Sequence, residues 1–271
     1  MTLASFTKPG DQGLAKLSDV VLHNVRMIRK MIALCHQRGW NYRIPQTVFP
    51  LFGMPGFGAK VQDLPNWSQI QAEFSAIANE RGSVRLSMHP TAFCIPGSDN
   101  PKTVAAALSE LEMSSQILDL CGAPRGHESP INIHMGCSTG GLEATMDRFK
   151  ASLDRMSGPV RHRLVLENDD KGEWNTHTLF QRGWRGPITF DYHHHMCNPG
   201  SWSEYQAFSL ALSSWGAVRP LFHYSEPDPT QSNRRAHCEM PTRKANDYGA
   251  LFDLDIELKG KSKAIEAYEA L

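Results

Sequence analysis

Imidazoles and carboxylates recur along this chain at one kind of position, directly after a short apolar run. Residues 84–88 lead into His89, 130–133 into His134, 163–166 into Glu167, 188–190 into Asp191, 219–222 into His223 and 252–256 into Glu257. Short apolar runs bounded by turn signals read as buried strands. One histidine at a strand end reads most simply as a hydrogen-bonded, partly buried residue. The same placement at strand after strand needs another cause. Crowded together, these groups would set like charges and unshared lone pairs side by side in a cleft. Divalent cations remove that penalty, and a His/Asp/Glu donor set without cysteine suits zinc or manganese. Glu167 has two oxygens and can bridge two ions. Asp191, followed by His193, His194 and His195, can serve neighbouring ions together with one of those histidines. Asn168 is a candidate to fix the Glu167 carboxylate, whereas Asp169 and Asp170 read as a solvated turn or helix cap.

The elements that must position these groups follow from periodicity. A helix is expected from a Ser18-Asp19 cap, with Val21, Val25, Ile28 and Ile32 on one face and Gly39 as its stop. Further helices are expected over 66–81, 102–121 (with Leu108, Leu111, Ile117, Leu118 and Leu120 inward), 141–156, 175–182, 203–215 and 263–271. An additional extended piece covers 41–44. Strands that alternate with helices imply a parallel sheet, because each return crossover needs a helix. The expected fold is α/β, a TIM-type (β/α) barrel in one domain over 1–271, with the first strand missing from the pattern. All strand C-termini of such a barrel open on one face, so residues distant in sequence converge there.

Composition sets the outer bounds. The chain has 271 residues, 41% hydrophobic and 21% charged, enough to build a core and too apolar for a disordered chain. Lys+Arg 28 against Asp+Glu 28 excludes a protein that coats nucleic acid by bulk charge, but not one that binds it through a local cleft. No stretch approaches the roughly 20 apolar residues of a membrane helix, and no signal peptide is evident. Six cysteines without a CxxC pair read as reduced thiols of a cytoplasmic protein.

Several longer motifs carry a family likeness. Met88-His89-Pro90, Ile133-His134, Leu166-Glu167-Asn168-Asp169-Asp170-Lys171, Phe190-Asp191-Tyr192-His193-His194-His195, His223-Tyr224-Ser225 and Ile256-Glu257 together resemble the UV damage endonuclease family, from about Ser18 to the C-terminus. The resemblance implies a barrel related to endonuclease IV. It implies a monomeric DNA repair enzyme that nicks duplex DNA on the 5′ side of UV photoproducts. It also implies two or three divalent ions, manganese first, with zinc, magnesium or cobalt as alternatives. Carried over by position, His89, His134 and Glu167 would hold one ion. Glu167, Asp191, His223 and Glu257 would hold a second, and Asp191, His194 and His237 would surround a third. Glu167, Asp191 and Glu257 are then the catalytic carboxylates of a hydrolysis in which activated water attacks the phosphodiester.

Arg43, Lys60, Lys171, Arg234, Arg235, Arg243 and Lys244 are candidates for phosphate contacts. Phe93, Tyr192 and Trp67 are candidates for stacking or wedging at a distorted step. The chain departs from the family where lesions are read. Ala92 stands where the family usually has glutamine, Met54 where it has histidine, and Leu221 where it often has lysine, so a modified-lysine ligand cannot form. Two alternatives share the strand-end pattern: a sugar isomerase or epimerase barrel, and a degenerate family member that binds without cutting.

Overall fold

The computed structural model describes residues 12–54 and 57–271. The missing first strand expected from the sequence would precede Gln12 and lies outside the described residues. The chain forms two compact units, Met1–Asn132 with Ala151–Leu164, and Ile133–Lys150 with Val165–Leu271.

The first unit opens with α1 (Gln12–Arg38). Leu17, Val21, Val25, Ile28, Ile32 and Cys35 are buried along it, the i, i+3/i+4 stripe that the sequence shows. Ser18 and Asp19 are not its cap, because the helix is already formed at Gln12. Instead Ser18 Oγ accepts from Asn66 N at 2.8 Å and Asp19 Oδ1 from Asn66 Nδ2 at 2.8 Å. Those bonds hold the residue preceding α2 (Trp67–Glu80). Strands β1 (Tyr42–Ile44) and β2 (Leu86–Met88) pair in parallel, with Tyr42 opposite Leu86 and Ile44 opposite Met88. β3 (Ile131–Ile133) continues the parallel order through Met88 and Ile131. Helix α3 (Pro101–Leu120) is capped by Asn100, whose Oδ1 accepts from Lys102 N at 2.9 Å. It buries Val104, Ala107, Leu111, Ile117 and Leu118, while Leu108 and Leu120 are only half-buried.

The sequence reading missed one helix of this unit. Residues expected to begin a strand at Arg163 instead finish α5 (Gly158–Arg163), which Ser157 caps and which carries Pro159 in its first turn. The α4 helix, Leu142–Leu153, precedes it. Arg163 is fully buried and would be prohibitive alone. It is paired with Asp119 at 2.8 Å and donates to Ser115 Oγ and to the Pro124 and Ala123 carbonyls.

The second unit resumes at Val165 within β4 (Leu164–Glu167), which pairs in parallel with β5 (Ile188–Thr189), with Glu167 opposite Thr189. Asn175 caps the short α6 (Thr176–Gln181) between them. Helix α7 (Tyr192–Cys197) follows β5 directly, where the sequence suggested only a strand exit. Helix α8 (Glu204–Ser214) has a Ser203/Gln206 capping box. β6 (Leu221–Tyr224) and β7 (Asp253–Ile256) pair in parallel along four residues, and α9 (Ser262–Ala270) closes the chain. Every strand pairing in a named ladder is parallel, as the α/β alternation requires. No helix among the described residues is long and apolar enough to cross a membrane.

Candidate metal centre

Register brings the site together within the second unit. Glu167 ends β4. Asp191 lies two residues beyond its partner Thr189 and forms a parallel bridge with His223 of β6. Glu167 and Asp191 are 0% exposed and His223 is 1% exposed, yet one ligand atom of each lies within 4.8 Å of the others. His223 Nδ1 stands 3.2 Å from Glu167 Oε2 and 3.4 Å from Glu257 Oε1. His134 Nε2 is 3.6 Å from Glu167 Oε2, and His194 Nδ1 is 3.0 Å from Glu167 Oε1 and 4.0 Å from Asp191 Oδ1. The two oxygens of Glu167 therefore face different imidazoles.

Charge in this cluster is compensated internally. Burial alone would push the Glu167 carboxyl up, but His223, His134 and His194 hold it well below the usual carboxylate range. Burial pushes Asp191 up. His194 opposes that shift, while Glu167 adds to it. Burial works against a charged His223, yet Glu167 and Glu257 raise it to about 9. His194 and His134 are raised against the same burial, the first by Asp191 and Glu167, the second by Glu167 and Asp169. A cation would satisfy the same carboxylates that these imidazoles face.

The residues fit divalent ions. The donors are carboxylate oxygens and imidazole nitrogens, the set that suits zinc and manganese. Asp191 Oδ2 is buried with no hydrogen-bond partner among the described residues, while Oδ1 accepts from His194 N at 2.7 Å as the cap of α7. An ionised oxygen left so is costly unless a cation or proton meets it.

Supporting contacts differ from the sequence reading in two places. Asn168 does not fix the Glu167 carboxylate. It clasps the Asp191 backbone in both directions, Nδ2 to Asp191 O at 3.1 Å and Asp191 N to its Oδ1 at 2.9 Å. Asp169 is not a solvated turn residue. It is 8% exposed, and its Oδ1 lies 2.7 Å from His134 Nδ1, which leaves Nε2 of that ring toward Glu167. A carboxylate behind a histidine in this way fixes the tautomer and orients the ring. Asp170 behaves as expected, half-exposed and paired with Arg235 at 3.4 Å.

The three successive histidines of α7 diverge, as 100° steps on a helix require. His194 joins the cluster. His195 is buried with its ring 5.3 Å from Phe190, and His193 turns to Ser225 and the Arg234 carbonyl. His237 is half-buried, with Nδ1 2.6 Å from Glu257 O. His89 belongs to the first unit. It follows β2, is half-buried, and its Nδ1 lies 2.9 Å from Pro90 O.

Tyr192, among the expected DNA contacts, is 6% exposed, packs on Phe190 and Phe208, and donates its hydroxyl to Asn246 O at 2.6 Å. Phe93 is 82% exposed in the first unit, with Ala92 exposed beside it and Arg43 half-buried. Lys171, Arg234, Arg235, Arg243 and Lys244 are exposed in the second unit. Leu221 is buried in β6.

Parallel α/β connectivity with imidazoles and carboxylates gathered at strand ends defines an α/β protein with a candidate metal centre. The model of the UV-endonuclease UvdE family matches residues 1–270, and the chain belongs to that family. It is 31% identical over 282 residues to a UV-damage endonuclease of Neurospora crassa, covering 95% of this chain and 42% of that protein's length. It is 29% identical over 285 residues to a UV DNA damage endonuclease of Bacillus cereus, covering 98% of this chain and 86% of that protein. The crystal structure of SacUVDE superposes with a TM-score of 0.81 at 24% identity, covering 100% of this chain and 91% of that one. Endonuclease IV from Thermus thermophilus shares the fold at a TM-score of 0.58 and 14% identity, over 90% of this chain and 93% of that one.

Proposed function

We propose that this protein is a divalent-metal-dependent DNA repair endonuclease that nicks duplex DNA on the 5′ side of UV photoproducts. The observation that carries the reading is the buried Glu167–Asp191–His223 cluster. It is surrounded by His134, His194 and Glu257 at ion-pair distances and belongs to a chain of the UV-endonuclease family. Divalent ions held there, manganese first, would supply Lewis acidity toward phosphate oxygens and toward an attacking water.

The chain's own residues do the rest. Glu167 offers one oxygen toward His194 and the other toward His134 and His223, the disposition that bridging needs. Asp191 holds one oxygen still as a helix cap and presents the other inward. Glu257 balances His223. Asp169 keeps the His134 ring turned. Burial of Glu167 and Asp191 keeps bulk water off their oxygens. For His89 the support is the His89-Pro90 motif, and for His237 its sequence position and its tie to Glu257. Lys171, Arg43 and the exposed Phe93 are the proposed DNA contacts, and the monomer is the proposed working form.

The test is UV-irradiated supercoiled plasmid incubated with the protein and Mn²⁺, beside undamaged plasmid and beside Glu167→Gln. Nicking confined to irradiated DNA, dependent on the ion and lost in Glu167→Gln, is the expected result. Glu167→Gln with full ion content and full nicking overturns the assignment.

A further inference from the structure

The middle histidine of the run on α7 is outside the ligand set, yet it is more completely committed than its neighbours. His193 is 2% exposed. Its Nδ1 lies 2.7 Å from Ser225 Oγ and its Nε2 lies 2.7 Å from the Arg234 carbonyl. A carbonyl can only accept, so Nε2 carries the proton, and Nδ1 then accepts from the Ser225 hydroxyl. Both nitrogens are used, and both partners flank one excursion of the chain. Ser225 follows β6, and Arg234 stands three residues before His237.

That excursion also meets α7 through Cys197, whose Sγ lies 3.7 Å from the same Arg234 carbonyl. It folds back on itself through Asp228 N to Ala236 O at 2.7 Å, Cys238 N to Glu226 O at 2.8 Å, and an antiparallel bridge of Pro227 with His237. The His193 ring meets the His237 ring edge-on, centroids 5.1 Å apart and planes at 66°. On its other side His237 is held by Nδ1 to Glu257 O at 2.6 Å. The His237 ring thus stands between a carbonyl and the edge of His193, with Nε2 left as its ligand atom.

We propose that His193 is a positioning residue that sets where the His237 imidazole stands, by clamping the 226–238 excursion at its entry through Ser225 and near its end through the Arg234 carbonyl. The inference rests on the metal-centre reading for the role of His237, but the clamp itself is a property of the ring positions. Groups that orient a metal-binding histidine are worth about ten- to a hundredfold in ion affinity. Loss of the clamp therefore weakens the ion at His237 by that factor and spares the one held by Glu167, Asp191 and His223.

The experiment compares wild type, His193→Ala, His193→Gln and Ser225→Ala. Imidazole ¹⁵N–¹H spectra of the protein in EDTA report the His237 ring without any ion, and Mn²⁺ titration by calorimetry reports each binding step. The expected result has three parts. His193→Ala shifts and broadens the His237 signals and weakens one Mn²⁺ step at least about tenfold. His193→Gln, whose amide can donate to the Arg234 carbonyl, restores most of both. Ser225→Ala gives a smaller change of the same kind. An unaltered His237 signal with wild-type Mn²⁺ steps in His193→Ala overturns the proposal. If that variant does not fold, an unaltered signal and wild-type steps in Ser225→Ala overturn it. A wild-type protein that binds no Mn²⁺ defeats the metal-centre reading instead, and leaves the EDTA spectra to decide the clamp.

Discussion

His223 gives the sharpest measurable consequence of the cluster. Its imidazole is buried, yet Glu167 at 3.2 Å and Glu257 at 3.4 Å raise it from the ordinary 6.5 to about 9. In the unfolded chain it titrates near its ordinary value. Below that pH both states are protonated and the stabilisation is fully present. As pH rises through the folded value the proton leaves and the stabilisation goes with it. The difference is worth about 3 kcal/mol. For a chain of this size that corresponds to a Tm change of about 5 °C. His194 and His134 are raised too and add to the same trend. Glu167, held low, is ionised throughout this window and adds no slope. The assay is thermal unfolding in EDTA at fixed ionic strength from pH 6 to 9.5, for wild type and His223→Asn. Wild type should lose stability across the window, and the variant should lose distinctly less. Divalent ion should reverse the trend, because it displaces the proton and binds more tightly as pH rises. A wild-type Tm that is flat or rising from pH 7 to 9 without metal, or a slope unchanged in His223→Asn, would refute the electrostatic reasoning.

Other expectations can be checked in the same way. Asp169→Asn removes the charge behind His134 Nδ1 and should weaken ion binding about ten- to a hundredfold by calorimetry, with the fold retained. Phe93→Ala, at a position 82% exposed, should change denaturant stability by less than about 0.5 kcal/mol. It should lower affinity for irradiated duplex in a gel-shift assay, and equal affinity would remove Phe93 from the DNA contacts. Tyr192→Phe loses the bond to Asn246 O and should cost about 1 kcal/mol in a denaturant melt. Its DNA affinity should match wild type, and a clear loss would support the stacking role.

The strand ends were legible because a parallel α/β fold makes a simple promise: whatever terminates a strand faces the same way as what terminates its neighbour. Glu167, Asp191, His223 and Glu257 could be read on that basis alone. The residues that hold them could not. Asp169 looks like a turn residue, since its partner His134 is 35 positions away and the bond that buries it is tertiary. Tyr192 looks like a surface aromatic until α7 forms and turns it onto Phe190 and Phe208. Arg163 reads as a strand start because nothing local announces its pairing with Asp119. The α7 helix itself was hidden, since a run of histidines has no strong helix preference. Its start is set by the Asp191 side chain.

Asp191 accepts the His194 amide with one oxygen and keeps the other inside the cluster, so a single carboxylate serves two masters. Asparagine could begin the helix equally well but would forfeit the negative charge. Glutamate would keep the charge but carry it one methylene too far to grip the amide. Local architecture and reactivity are therefore inseparable at this residue, and drift here has almost nowhere to go.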